Sequence, residues 1–317
     1  MRIQWWLAAT FVMALGVPVA EAQDKPYKLI IPTAPGSSPD ASARFFADKL
    51  AADLKAPVIV ENRVGANGLI GTDFVARSPA DGHTFLFMSS THYINATLYK
   101  APFDPIKDFV PVARYAEALL VLVVAPSSPF NSVADVVAFA KKNPGKLTYA
   151  SAGSGSVTHL APAQFAKLNG LDLVHIPYKG ADGALVDTMG GQVAMNFASL
   201  ASAAAQIKSG KLKALAVTGA RRSVNFPDVP TMAESGMPGY DIVSRLGILA
   251  PAGTSREAVD RFANAVIKVA DSKEFAALAQ QLGLEVATAG PAKYGSEAVP
   301  QIEQWGELIK GANVKVE

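Results

Sequence analysis

Lys28-Leu29-Ile30-Ile31, then Pro35-Gly36-Ser37-Ser38-Pro39-Asp40, then an apolar-striped run to Leu54, is the stretch that decides the fold of this 317-residue chain. A short β-branched run, a turn rich in glycine, proline and serine, and a helical period follow one another. That order is strand, loop, helix. Ser38 is expected to cap the helix, Pro39 to occupy its first position and Asp40 to complement its dipole. Ala43, Phe46, Ala47, Leu50 and Leu54 recur at helical spacing and form one face to lay on a sheet. A helix start leaves backbone N–H groups without intrahelical partners and carries partial positive charge, so the loop is suited to an anion.

The same arrangement returns more than a hundred residues later, at Gly153-Ser154-Gly155-Ser156-Val157-Thr158. Between and beyond the two loops, strand-like runs alternate with helix-like ones: Val58 to Glu61, Thr84 to Met88, Leu147 to Ala150, Leu173 to Ile176, Val193 to Phe197 and Leu212 to Val217. The fold class is therefore α/β with parallel-rich sheets. Two apolar runs around Val110 to Ala125 mark a first crossing, and the extended stretch Tyr240 to Leu249 a return. Ser132-Val133-Ala134-Asp135 reads as a helix cap. The expected organisation is a first lobe from residues 23–123 and 245–317, a second lobe from 124–244, and a two-strand hinge with a cleft between them. Two helices close the chain, with stripes Val259, Phe262, Val266, Val269 and Ala298, Ile302, Trp305, Ile309, both expected on the first lobe.

Arg2, the apolar run Trp5 to Val19 and the triplet Ala20-Glu21-Ala22 form an export signal, residues 1–22, with cleavage expected between Ala22 and Gln23. The alternative is an uncleaved anchor, but the run is short of the roughly 20 residues that span a bilayer. A periplasmic location follows as the expectation. The chain contains no cysteine, which excludes thiolate metal sites and thiol nucleophiles. Its four histidines show no metal-ligand spacing, and its net charge of +2 includes no basic stripe for nucleic acid. No metal or cofactor is expected.

The ligand-binding candidates are Gly36, Ser37, Ser38 and Asp40 in the first loop and Gly153, Ser154, Gly155, Ser156, Thr158 and His159 in the second. Asp40 is either a helix-start residue or a partner for a positive group on a ligand. The second loop has Gly-x-Gly, but Thr158 stands where a dinucleotide fingerprint needs glycine. Ser154 or Ser156 with His159 would make a hydrolase pair, although no orienting third residue is visible. His159 is otherwise a structural histidine on an apolar helix face. Tyr178 and Lys179 follow a strand at the same edge as the second loop. Ser90 and Ser199 lie in polar turns after strands, where open parallel sheets bind ligands.

These segments resemble a known family, the periplasmic substrate-binding proteins of tripartite tricarboxylate transporters, or Bug receptors. The similarity rests on PGSSPDASAR from Pro35, ENRVGANGLIGT from Glu61, DGHTF from Asp81, FDPIKDFVPVA from Phe103, GSGSVTHL from Gly153, IPYKGADGA from Ile176, GGQV from Gly190 and PDVPTMAESG from Pro227. The resemblance implies a type II-like Venus flytrap fold and a monomeric, non-enzymatic receptor. It implies that the loops at Gly36 and Gly153 hold a small organic carboxylate for delivery to a transmembrane permease. A sensor reporting to a membrane kinase would use the same binding step. Two departures stand out: Ser37 replaces a usual second glycine, and Ser244-Arg245-Leu246 occupies a stretch that often carries an aromatic residue. Arg245 either supplies a cation to the ligand or points to solvent.

Overall fold

The computed structural model describes residues 25–312, so the expected export signal and its expected cleavage site lie outside the described residues. The first series of elements is β1 (Tyr27–Ile31), α1 (Ser38–Leu54), β2 (Val58–Asn62), α2 (Leu69–Ala76), β3 (Thr84–Met88) and α3 (Thr91–Leu98). A long strand, β4 (Phe109–Val124), leads to α4 (Val133–Lys142), β5 (Leu147–Ser151), α5 (Val157–Asn169), β6 (Leu173–Pro177), α6 (Ala181–Met189), β7 (Met195–Ser199), α7 (Leu200–Lys208) and β8 (Lys213–Val217). The chain returns through β9 (Val243–Pro251) and ends with α8 (Arg256–Ala270), α9 (Lys273–Gln281), β10 (Leu284–Ala289), α10 (Pro291–Ser296) and α11 (Ala298–Gly311).

The strands run in the order β2-β1-β3-β9-β4-β7-β5-β6, with β8 and β10 also paired to β4. β1 is parallel to β2 and β3, and β5 is parallel to β6 and β7. All strand pairs around β4 and β9 are antiparallel. The expectation of parallel sheets thus holds at the outer part of each lobe, where helices cross between strands, and gives way at the hinge. β4 passes from one lobe to the other. Phe109 to Leu119 pairs with β9, while Leu120 to Val124 pairs with β7 and β8. Its two apolar runs form one strand because elements cover both of its faces, and such strands read as nearly continuous hydrophobic sequence.

Several local signals act as the side-chain chemistry demands. Ser132 Oγ accepts the N–H of Asp135 at 3.1 Å, and Asp135 accepts that of Asn131 at 2.9 Å, a capping arrangement reaching in both directions. At α1 the cap is Ser37 and not Ser38. Ser37 is extended, with φ −69° and ψ 159°, and its carbonyl accepts the N–H of Ala41 at 2.9 Å. In α8 the expected stripe is buried, and Phe262 stacks on Phe85 with ring centroids 3.7 Å apart. Each such buried aromatic contributes on the order of 1.5–3 kcal/mol relative to exposure.

Helices α3, α9 and α10 and strand β10 have no counterpart in the sequence expectations. The last helix also differs. Trp305, Leu308 and Ile309 of α11 share one buried cluster with Tyr93 and Ile94 of α3 and with Leu160 and Phe165 of α5. The helix therefore bears on both lobes, and not on the first alone. Among the described residues no helix is long and apolar enough to cross a membrane.

Candidate functional site

Because β1, β2 and β3 are aligned, the loops that follow them emerge at one edge. Two adjoining cavities lie there. One, of about 330 Å³, is walled by Thr33, Ala34 and Pro39 after β1, by Val64, Gly65, Asn67 and Gly68 after β2, and by Ser89, Thr91 and Asn95 after β3. The other, of about 500 Å³, faces Asn67, Thr91 and Tyr99 of the first lobe with Ala152 to Val157 of the second. They share Asn67 and Thr91. The starts of α1, α2, α3 and α5 all reach these walls, so four helix N-termini from both sides of the cleft converge on one space.

The glycine N–H groups of the two loops have partners in the protein. Gly36 N–H donates to Asp40 Oδ2 at 2.9 Å. Gly155 N–H donates to His159 Nδ1 at 3.1 Å. Within these two loops, the backbone N–H groups of Ser38 and Asp40 in one lobe and of Ser154, Val157 and Thr158 in the other have no protein acceptor among the described residues.

Asp40 is buried, and its carboxylate also accepts Arg44 at 3.1 Å and Asn62 Nδ2 at 2.8 Å. Burial alone raises its pKa, but the hydrogen bonds from Arg44, Gly36 and Asn62 outweigh it and hold the carboxyl below its ordinary value. Asp40 thus anchors the first loop from beneath. It is not a free anion for a positive ligand group. Ser37 Oγ pairs with Thr33 Oγ1 at 2.8 Å, so the hydroxyl that replaces a usual glycine is tied into the loop itself.

His159 is buried on α5 and stacks on His175 with centroids 3.8 Å apart and an interplanar angle of 6°. Because a backbone N–H donates to Nδ1, the ring carries its proton on Nε2. Burial, with a smaller contribution from His175, lowers its pKa to about 4 and keeps it neutral. Ser156 Oγ donates to Gly153 O at 2.7 Å and pairs with Thr158 Oγ1, while Thr158 Oγ1 accepts Ala152 N–H. Among the described residues no serine hydroxyl is hydrogen-bonded to His159. The hydrolase pairing is therefore not assembled, and the loop's hydroxyls hold its shape.

Four other candidates lie elsewhere than expected. Ser90 is fully buried, accepts Arg245 N–H at 2.9 Å and donates to Gln301 Oε1 at 3.3 Å; its neighbours Ser89 and Thr91 line the cavity instead. Tyr178 donates its hydroxyl to Asp187 at 2.6 Å, a bond that pushes its pKa up to about 12. Ser199 ends β7, pairs across with Leu120 and caps α7, away from both cavities. Arg245 meets neither expectation. It bonds Asp241 at 2.8 Å and lies 3.7 Å from both Glu117 and Glu297, which Arg114 also contacts. Lys179 is exposed.

The residues missed by sequence reasoning cluster in Val64-Gly65-Ala66-Asn67-Gly68. Ala66 and Asn67 have φ of 46° and 54°, a left-handed conformation that side chains disfavour, between two glycines that also have positive φ. Asn95 supports it, donating to Asn67 O at 2.6 Å and accepting Asn67 Nδ2 at 2.8 Å. Glycines bracketing an Ala-Asn pair were the available signal.

The profile of the tripartite tricarboxylate transporter family receptor, TctC, matches residues 42–314. The chain belongs to this receptor family. BugT of Bordetella pertussis is 33% identical over 313 residues, covering 96% of each chain. Rpa4515 of R. palustris, solved with adipate, superposes with a TM-score of 0.75 at 30% identity, over 92% of this chain and 98% of that one. MatC of Rhodopseudomonas palustris, solved with malate, gives 0.70 at 28% identity, over 90% and 98%. The family is one of solute-binding receptors with this two-lobed α/β fold.

Proposed function

We propose that this chain is an exported receptor that captures a small organic carboxylate in the cleft and delivers it to a transporter permease. The observation that carries the reading is the convergence of four helix N-termini, from both lobes, on cavities whose described walls contain no acidic residue. Adipate and malate in the two related structures are both organic acids. The lobes divide as the sequence suggests, at 23–123 with 245–317 and at 124–244, and the molecule works as a monomer after removal of residues 1–22.

Hydrogen bonds to a charged group contribute roughly 1.5–3 kcal/mol each, and micromolar affinity corresponds to about 8 kcal/mol. Four or five donors suffice before dehydration and lost ligand freedom are subtracted. The open donors of the two glycine-serine loops are divided between the lobes, so capture that uses both sets depends on closure around the ligand. Isothermal titration calorimetry against a panel of organic acids tests this. Binding of at least one acid at micromolar concentration, with negative heat-capacity change, is expected; no heat from any carboxylate would refute it.

A further inference from the structure

Tyr99 stands on the first-lobe wall of the cavity of about 500 Å³, which it shares with the loop that opens α5. We infer that the Tyr99 hydroxyl donates a hydrogen bond to the ligand carboxylate held at the α5 start, and so fixes that carboxylate from the opposite lobe when the two shut. This inference rests on the receptor reading above and deepens it.

Tyr99 follows α3 and is extended, with φ −119° and ψ 156°. Its backbone is held on both sides, since its N–H donates to Asn95 O at 2.9 Å and its carbonyl accepts Ala101 N–H at 2.9 Å. Asn95 is also the residue that braces Asn67. Tyr99 is half-buried, and its hydroxyl has no partner among the described residues, whereas those of Tyr178, Tyr240 and Tyr294 donate to protein atoms. The other first-lobe polar side chains on this wall are tied: Asn67 donates to Asn95, and Thr91 Oγ1 accepts Ser89 Oγ at 3.1 Å.

A carboxylate has room for about four hydrogen bonds. The second loop offers it three open backbone N–H groups, those of Ser154, Val157 and Thr158, which leaves a position for the opposite wall. Among the described lining residues of this cavity there is no lysine or arginine, so a neutral donor completes the shell. A phenol suits the task. Its ring spans a gap with few side-chain torsions to order, its tip is polar, and a hydrogen bond to an ionised acceptor is stronger than one between neutral groups. Because Tyr99 and the second loop belong to different lobes, a bond from both to one carboxylate favours the shut form over the open one.

Calorimetry on the mature full-length chain tests this, with a panel of organic acids that includes malate, adipate, citrate and benzoate titrated into the wild type and into Tyr99→Phe. Phenylalanine keeps the ring and removes the hydroxyl alone. Each acid that binds the wild type should bind the variant at least tenfold more weakly, and by a similar factor whether it carries one carboxylate or several, because the bond goes to the group they share. The melting temperature of the empty protein should not move, since the hydroxyl has no protein partner. Undiminished affinity in Tyr99→Phe overturns the inference and leaves the receptor reading standing. So does a lowered melting temperature without ligand, or a loss seen for malate but not for a benzoate that binds. Silence of the wild type across the whole panel removes both.

Discussion

Gly155 and His159 are joined across one helical turn, backbone N–H to ring Nδ1 at 3.1 Å, and Gly36 and Asp40 are joined by the same four-residue step in the other lobe at 2.9 Å. In each case the residue before the cap gives its N–H to the side chain at the third helical position. This is a close relative of the capping box, reaching one residue further back. It fixes the loop and leaves N–H groups of the helix start, Ser38 and Asp40 in one lobe and Val157 and Thr158 in the other, without a protein acceptor.

His159→Ala should remove that acceptor and open the stack on His175, lowering unfolding stability by about 2–4 kcal/mol. Asp40 shows that a short carbonyl-bearing side chain spans this step, so His159→Asn should recover a substantial part of the loss. Urea denaturation of the two variants decides it: equal midpoints for Ala and Asn would mean that the hydrogen bond contributes nothing.

Acid should destabilise the protein through its neutral histidines. His92 and His159 are both lowered by burial from the ordinary 6.5 to about 4, with His175 adding to the effect at His159. Below pH 6.5 the unfolded chain gains protons that the folded one refuses until about pH 4, so stability is complete above the first value and falls toward the second. Fully buried His92 alone accounts for on the order of 3 kcal/mol of this fall. Urea midpoints measured from pH 7 to 4 should decline, and a variant with His92→Gln should decline less steeply.

Asn95 holds Asn67 and Ala66 in a backbone conformation that costs about 1–3 kcal/mol per residue. Asn95→Leu keeps the branched side-chain skeleton and removes both hydrogen bonds. It should weaken ligand binding tenfold or more while the circular dichroism spectrum stays unchanged, because the loop after β2 would relax away from the cleft. Retained affinity in calorimetry would show that the strained loop does not contribute to binding.

Arg245 offsets Glu117, Asp241 and Glu297 beside the hinge strands. Arg245→Met should cost about 3–5 kcal/mol near neutral pH, since the carboxylates would then share Arg114 alone. Burial already raises the Glu117 pKa above 4.5 against the pull of Arg114 and Arg245. As pH rises through 4.5 the unfolded chain releases this proton before the folded one, so Glu117 lowers stability with rising pH, and losing Arg245 steepens the effect. The variant's deficit in thermal melting should therefore shrink toward pH 4.5. A deficit independent of pH would place the loss in packing and not in charge.

Much of the architecture was legible in the residues because the signals are local. The strand at Thr84 to Met88 and the helix at Val157 to Asn169 appear with the expected bounds. Helix α3 escaped notice because Thr91-His92-Tyr93-Ile94 looks like a polar turn running into β-branched and aromatic residues. Its helicity comes from packing Tyr93 and Ile94 against α11. The small-residue strand β10 likewise depends on β4 as its partner.

By itself the sequence determined the α/β alternation, the two glycine-serine loops and their placement at helix starts. Periodicity, caps and backbone freedom act within a few residues, so they are written in order along the chain. The tertiary structure decided which donors remain open, that Ser90 and Arg245 face inward, that α11 bears on both lobes, and that Asn67 and Thr91 join the two cavity walls. Those outcomes depend on which distant groups satisfy a buried polar atom, and only the folded chain brings them within hydrogen-bond reach.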